Sequence, residues 1–492
     1  MHSSRARVAQ ALPLIAPLAI ALGAGCGKGG VTPAPATVDR PSTTRPELEA
    51  AAEPATALTD EPEPQCDRTC AELISKAQLA FERAAALRGA DSARASLARK
   101  AERGFERAWR VCLLRVPDGH DLSCEGGREV VERMVAASMM TKDVSGQVFA
   151  QLVALDPRWR RLDSPLAESA VKEQLAQLAS EGERRGREDA EAEGAAAALE
   201  ASAYAYLAVN RPDAANRVAA AFRRGFGRDH ATEATLMAVA IAEHYVDARQ
   251  GKQALGSLPQ TVAPGASSPP RLRVLWHAVR SRAQLEAGNA FAAEREAKTA
   301  TGIWTNVKTP VDEVGPAAPW PMLGRERVVE AVGAATYVLA EKPALEATAL
   351  RPPRYSGPPT HAGMSDFMQT KVAAWARKKL ELIRVATHAY AAAADIRPVP
   401  PGRWMVAGTT RVGELNAELA DQMTSLALPP PLANDETEQR SFDRAMLASV
   451  APVVAASRAA FERCVEFSEK YRLSNGEREY CHERLNGLPS PE

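Results

Sequence analysis

The chain of 492 residues carries 61 basic and 61 acidic side chains, so its formal net charge is zero. This balance gives no sequence-wide attraction for nucleic acid or for an anionic lipid surface, and nucleic acid is not a predicted partner. Aromatic residues make up only 5% of the chain, whereas alanine is abundant. Because alanine lets helix backbones approach closely, this composition favours packed helices over a large sheet.

The N-terminus has the features of a secretion signal followed by a lipidated cysteine. Two arginines precede an apolar run over residues 8–22, which is too short to cross a bilayer as a stable helix. The segment Leu22-Gly23-Ala24-Gly25-Cys26 resembles a bacterial lipobox, although Gly23 stands where leucine is usual. The alternative is an ordinary secretory peptide in which Cys26 is incidental.

The lipobox resemblance implies a location and a mode of attachment. Residues 1–25 would be the signal peptide, and Cys26 would carry the lipid that attaches the protein to a membrane. Gly27, rather than an inner-membrane retention aspartate, follows the cysteine, which implies sorting to the outer membrane. We expect the anchored protein to face the periplasm.

Residues 26–65 are rich in proline, threonine, alanine and glutamate and have almost no large apolar side chains. Such a segment cannot bury enough surface to offset the entropy cost of ordering it. The sequence therefore predicts a disordered linker that holds a folded body away from the membrane.

The remaining cysteines are even in number and favour disulfides, because no CxxC motif and no histidine at metal spacing accompanies them. They are Cys66, Cys70, Cys112, Cys124, Cys464 and Cys481. Folding two predicted helices about residue 90 brings Cys70 opposite Cys112, and Cys66 and Cys124 just outside the helices would then pair. Cys464 and Cys481 lie on consecutive predicted helices and would join them. The rival interpretation, redox-active thiols, lacks neighbouring groups that would hold a thiolate.

Three stretches approach the tetratricopeptide pattern, in which a second helix follows a Gly/Asn turn and presents small residues at fixed spacing. They cover residues 206–222 and 285–300 and, more loosely, 248–255. None of these stretches has all the residues of the tetratricopeptide pattern, and their spacing along the chain is irregular. We therefore predict an all-α fold: a degenerate tetratricopeptide-like helical hairpin array (α-solenoid) over residues 66–345. The alternative is an unrelated alanine-rich bundle.

A C-terminal helical domain is predicted over residues 346–492. Proline- and glycine-rich breaks at 259–270, 308–321 and 351–363 punctuate the preceding array. Beyond the last break the pattern predicts helices over 365–394 and 404–426, and a long helical stretch over 435–471 interrupted at Pro452.

The C-terminal region resembles a known family. The segments that carry the resemblance are Trp375 to Lys379 leading to Tyr390, Pro401 to Trp404, Arg411 to Gly413, Pro429 to Pro431, Ala459 to Cys464 and Asn475 to Cys481. Together they are similar to the shared C-terminal region of tetratricopeptide lipoproteins from gliding myxobacteria, some of which belong to the adventurous gliding-motility machinery. The resemblance implies a non-enzymatic component of an envelope assembly.

Motifs that carry chemistry are missing from the sequence. It contains no HExxH, Walker A or GxSxG pattern and no GxGxxG that follows a predicted strand, so we predict no catalytic residue, no metal site and no cofactor. His230 and Glu233 have the i, i+3 spacing of a metal pair, but a lone pair of this kind is usually a solvated helix start.

The predicted function is that of a lipid-anchored envelope scaffold, not an enzyme, which binds other envelope proteins in a groove between stacked hairpins. The first helix of each hairpin would line the groove, which makes Tyr204, Tyr206, His244 and Tyr245 candidate partner contacts. The alternatives are a cell-wall enzyme or a regulator of one, and a purely structural lipoprotein.

Overall fold

The computed structural model describes residues 68–87, 92–108, 127–141, 143–155, 168–188, 194–306, 325–397, 400–471, 473 and 475–488. Helices account for 85% of these residues, and within them there are no strands. The predicted all-α class is therefore confirmed. The signal peptide, Cys26, the linker and the cysteines at 66, 112 and 124 lie outside the described residues, as does the side chain of Cys70.

The described helices follow one another along the chain. In order they are α1 (Arg68–Ala86), α2 (Ser92–Ala108), α3 (Gly127–Met139), α4 (Val144–Ala154), α5 (Glu168–Glu188), α6 (Ala195–Ala208), α7 (Pro212–Phe226), α8 (Ala231–Asp247), α9 (Gly251–Ser257), α10 (Pro270–Glu286), α11 (Ala290–Asn306), α12 (Arg325–Ala349), α13 (His361–Phe367), α14 (Ala373–Ala391), α15 (Gly402–Thr424), α16 (Pro430–Ala433), α17 (Glu436–Lys470) and α18 (Asn475–Asn486). A π-helical segment, Met368–Val372, joins α13 to α14 without a break.

Three consecutive hairpins, α6/α7, α8/α9 and α10/α11, share one turn geometry. Each turn has three residues, and its middle residue adopts a positive φ: Asn210 (59°), Arg249 (58°) and Gly288 (82°). In each turn the backbone N–H of the residue after the positive-φ residue donates to the carbonyl oxygen five positions earlier, in the preceding helix, as in the Schellman motif. The middle residues are 39 residues apart in both steps, so this part of the array is regular, and the irregular spacing read from sequence is wrong here.

Neighbouring hairpins pack into a continuous core. Helices α6, α8, α10 and α12 contact one another in that order, while α6, α8 and α10 each also pack on the second helix of their own hairpin. The largest fully buried side chains in this core are Trp276, Phe105 and Phe222. Helix α12 contributes to this core through Val338 and to a second core through Ala340, so it joins the two.

The second core is built around a close crossing of α15 and α17. The Ser457 hydroxyl donates to the Gly413 carbonyl at 2.8 Å, and a Cβ at Gly413 would lie 2.8 Å from the ring of Phe461. Cys464 and Cys481 form the predicted disulfide between α17 and α18, with Cα atoms 6.1 Å apart and both side chains buried.

Helix α17 is continuous through Pro452, where the sequence predicts an interruption. Pro452 lacks the N–H that would bond to the Ala448 carbonyl, and both residues lie on the exposed face, where water can satisfy that carbonyl. Among the described helices, α17 is the one long and apolar enough to cross a membrane by length and composition. In the structure one face of it packs on α15.

Candidate functional site at the turn edge

The turns at residues 209–211, 248–250 and 287–289 succeed one another along one edge of the array, which we call the turn edge. Polar contacts tie each hairpin to the next there. The predicted partner-contact residues Tyr206, His244 and Tyr245 all belong to these ties.

Tyr206 ties α6 to α5. Its ring is buried and its hydroxyl donates to Glu183 at 2.9 Å. Burial would raise the pKa of the Glu183 carboxyl, but hydrogen bonds from Arg217 and Tyr206 outweigh it and lower the pKa below its usual value. The guanidinium of Arg211 lies over the Tyr206 ring, 5.3 Å from its centroid.

Tyr245 and His244 tie α8 to the preceding turn. The buried Tyr245 donates its hydroxyl to Asp213 at 2.6 Å, and burial together with this carboxylate raises the pKa of Tyr245 to about 12. Nε2 of His244 lies 2.9 Å from Oδ1 of Asn210, the positive-φ residue of that turn. The side chains of Tyr245 and His244 therefore already make polar contacts within the chain.

The side of the array on which α6, α8, α10 and α12 contact one another is called the inner face. Tyr204 of α6 lies there, near charged groups of α8 and α12, and is only 5% exposed. Burial, and then the carboxylate of Glu200, raises the pKa of its hydroxyl. On the same face Arg327 of α12 forms an ion pair with Glu243 of α8. Helix α12 thus reaches the inner face that the sequence predicts to be an open groove.

Helix α15 closes the inner face further. Asp247, at the end of α8, accepts hydrogen bonds from Arg282 at 2.8 Å and from Arg403 of α15 at 3.1 Å. Both guanidinium groups also lie over the Trp404 ring, at 5.0 and 5.4 Å from its centroid. Burial would raise the pKa of Asp247, but the two arginines outweigh it and lower the pKa.

Three of the four predicted partner contacts therefore need correction. Tyr204, Tyr206 and Tyr245 are each at most 5% exposed, because neighbouring helices cover their rings and polar groups of the chain bind the hydroxyls of the last two. His244 remains partly exposed. The inner face packs the array together instead of forming an open groove.

The turn edge itself presents a different set of exposed side chains. Arg211 and Arg249 are exposed in their turns, and Phe291, in the first turn of α11, is 81% exposed. Beside Arg211, a shallow cleft on α5 is lined by Gln177, Ser180, Glu181 and Arg184, among others. Hydrogen bonds from Arg184 and Arg185 lower the pKa of Glu181 to about 2, so the carboxyl group that lines this cleft is ionised at neutral pH.

The sequence analysis did not identify Phe291 as an exposed residue, although its position in the repeated turns indicates that it is exposed. Each positive-φ turn residue is followed three positions later by Asp213, Lys252 or Phe291. The position is charged in the first two hairpins and aromatic in the third, and all three residues are exposed. An aromatic side chain at a solvent-facing repeat position is a candidate for partner contact.

The described residues contain no group of three or more histidine, cysteine, aspartate or glutamate side chains able to hold a metal ion. His230 and Glu233 are at the start of α8, and the ring of His230 packs against Phe222 and Phe226. Comparisons with protein-family models, curated proteins and solved structures returned no significant match to the chain.

Proposed function

We propose that this protein is a non-enzymatic, lipid-anchored scaffold of the cell envelope that binds another envelope protein along the turn edge. The observation that carries the proposal is the regular edge of three turns of the same type, 39 residues apart, with Phe291 projecting from it at 81% exposure. The closed inner face makes the outer edge the better candidate for partner contact.

The rigidity of the edge supports this function. Tyr245 binds Asp213 and His244 contacts Asn210, so the first turn is held in place before any partner arrives. Arg282 binds Asp247 just before the second turn. Preorganisation of this kind lowers the entropy cost of association. Phe291, Arg211 and Arg249 belong to residue types that are enriched at protein interfaces. The partner segment would offer an apolar side chain for Phe291 and carboxylates for the two arginines.

The proposed location in the cell envelope is supported by the N-terminal sequence. A lipid on Cys26 and a linker over residues 26–65 would let the body reach partners in the periplasm from the outer membrane. Because the C-terminal region resembles lipoproteins of gliding myxobacteria, we propose that the scaffold acts in a gliding-motility or outer-membrane assembly complex.

The test is capture of the tagged full chain from native envelopes after mild crosslinking, followed by mass spectrometry. We expect a reproducible, stoichiometric set of envelope proteins that is lost when Cys26→Ser removes the lipidation site. Phe291→Ser should lose the same set while the protein remains at the membrane.

The matched control is Val385→Ser on α14, because Val385 is also an exposed apolar side chain, at 42%, but lies away from the turn edge. It should retain the partners. Recovery of the bait alone from wild-type envelopes, or equal loss of partners in both serine variants, would contradict the proposal.

A further inference from the structure

Helix α17 leaves one face without a partner in the described structure. Its inner face, with Val450, Val453 and Phe461, packs on α15. The opposite face is exposed along six turns and consists of Arg444, Ala448, Ala451, Ala455, Ala459, Glu462 and Glu466. These positions are three or four residues apart, so they form one straight stripe, which we call the outer stripe.

The outer stripe is apolar in its middle and oppositely charged at its ends. Arg444 stands at its N-terminal end, while Glu462 and Glu466 stand at its C-terminal end. Leu447, 56% exposed, lies beside the alanines and widens the apolar surface. No charged residue occurs between Arg444 and Arg458, which is unusual for a solvent-facing helix.

The spacing of the outer stripe is symmetric about Ala455. Ala451 and Ala459 are each four residues from it, Ala448 and Glu462 seven, and Arg444 and Glu466 eleven. Two copies of the stripe crossing antiparallel at Ala455 would place Arg444 of each copy beside the two glutamates of the other. A parallel pair would oppose like charges, so the charge pattern selects the antiparallel arrangement.

We propose that the outer stripe of α17 is a self-association surface that joins two copies of this chain by an antiparallel α17–α17 contact with two-fold symmetry. An isologous contact requires a self-complementary surface, and the outer stripe meets this requirement in both charge and spacing. Alanine at the crossing lets the two backbones approach to about 8 Å.

A membrane surface is the less suitable occupant. Helices that lie in the lipid interface use large side chains such as tryptophan, phenylalanine and leucine on the apolar face and lysine or arginine on the other. The outer stripe offers alanines with glutamates at one end, which suits a close helix contact better than insertion between lipids.

The expected affinity is modest because the contact is a single helix pair about 34 Å long. We expect a dissociation constant on the order of 10 µM for the full chain, measured by sedimentation equilibrium. Arg444→Glu alone, or Glu462→Arg with Glu466→Arg, should raise this constant at least tenfold. The triple variant with all three reversals should restore it to within about threefold of wild type, because the charges are exchanged between the ends.

A cysteine placed at the symmetry axis gives an independent readout. Ala455→Cys should form a disulfide between two copies under mild oxidation, beyond any crosslinking of the wild-type chain, whereas Asp443→Cys, exposed but off the outer stripe, should not. Unchanged circular dichroism and melting temperature would show that the variants fold.

Three results would overturn the proposal. The first is a wild-type chain that stays monomeric at 100 µM, and the second is a triple variant that fails to restore association. The third is a monomeric chain that binds vesicles of anionic phospholipid and loses this binding on Ala455→Glu, because this result would assign the stripe to the membrane.

Discussion

At the scale of single residues, the polar ends of buried tyrosines hold the turn edge together. Tyr245 donates to Asp213 from a nearly closed environment, whereas Tyr480 makes a similar bond to Glu414 at 2.7 Å while 40% exposed. Removing the hydroxyl of Tyr245 should cost more, because the Tyr245–Asp213 bond is partly buried and water competes with it less than with the exposed Tyr480–Glu414 bond.

We predict that Tyr245→Phe lowers the free energy of unfolding by about 1–1.5 kcal/mol, and that the control Tyr480→Phe lowers it by less than about 0.5 kcal/mol. Urea unfolding at pH 7, followed by circular dichroism, measures both. Equal effects of the two substitutions would contradict the structural role assigned to Tyr245.

Glu102 makes stability depend on pH. Its side chain is 7% exposed on α2, and burial, followed by the charge of Asp143, raises its pKa to about 7. Between the unfolded value of 4.5 and about 7 the folded state binds more protons than the unfolded state. Stability from this group is therefore full below pH 4.5 and is lost as the pH rises through about 7.

Glu102→Gln should remove this loss because the amide carries no charge at any pH. We predict that the variant is more stable than wild type by about 2–3 kcal/mol at pH 8, with the two converging near pH 4.5. Unfolding curves recorded at several pH values would show it, and a parallel offset across the whole range would count against the assignment.

The sequence contained part of this residue-scale information. The pairing of Cys464 with Cys481 could be predicted from their positions on two helices around one turn. The acceptors of Tyr206 and Tyr245 could not, because Glu183 and Asp213 are 23 and 32 residues away and belong to neighbouring helices. Their proximity depends on how the hairpins stack.

At the scale of helices, close approach between hairpins depends on glycine at the start of α9. A Cβ at Gly251 would lie 2.6 Å from the Ala287 nitrogen and 2.7 Å from the Ala283 carbonyl oxygen, both on backbone that cannot easily move. Gly256, five residues later in the same helix, is exposed, and a Cβ there would meet nothing within 4 Å.

We predict that Gly251→Ala destabilises the protein by about 2 kcal/mol or more through steric overlap. Gly256→Ala should stabilise it by about 0.5 kcal/mol, since alanine favours the helix. Thermal unfolding of both variants provides the comparison. Similar melting temperatures for the two would mean that α9 and α10 do not approach as closely as described.

Helix existence and type were predictable in the C-terminal half, where the apolar period is strong, and α15 lies within two residues of its predicted bounds. Pro452 misled the prediction because its position on the exposed face is visible only once α17 packs on α15. The equal spacing of the three turns was also missed, since Arg249 carries no sequence signal for a positive φ.

At the scale of the whole molecule, the inner face of the array is covered, whereas the sequence predicts an open groove there. Contacts from α12 and α15, through Arg327 and Arg403, close the inner face of the array. These contacts join residues 84 and 156 positions apart, a distance that local patterns cannot bridge. Among the described residues, the turn edge and the outer stripe of α17 are two surfaces that no other helix covers.

The central claim is that the turn edge binds a partner protein. It is tested most directly by a photoreactive phenylalanine analogue at position 291, irradiated in intact cells that express the full chain. We expect a discrete crosslinked product with one envelope protein, which should be absent when the analogue is placed at position 385. Crosslinking at 385 but not at 291, or at neither position, would contradict it.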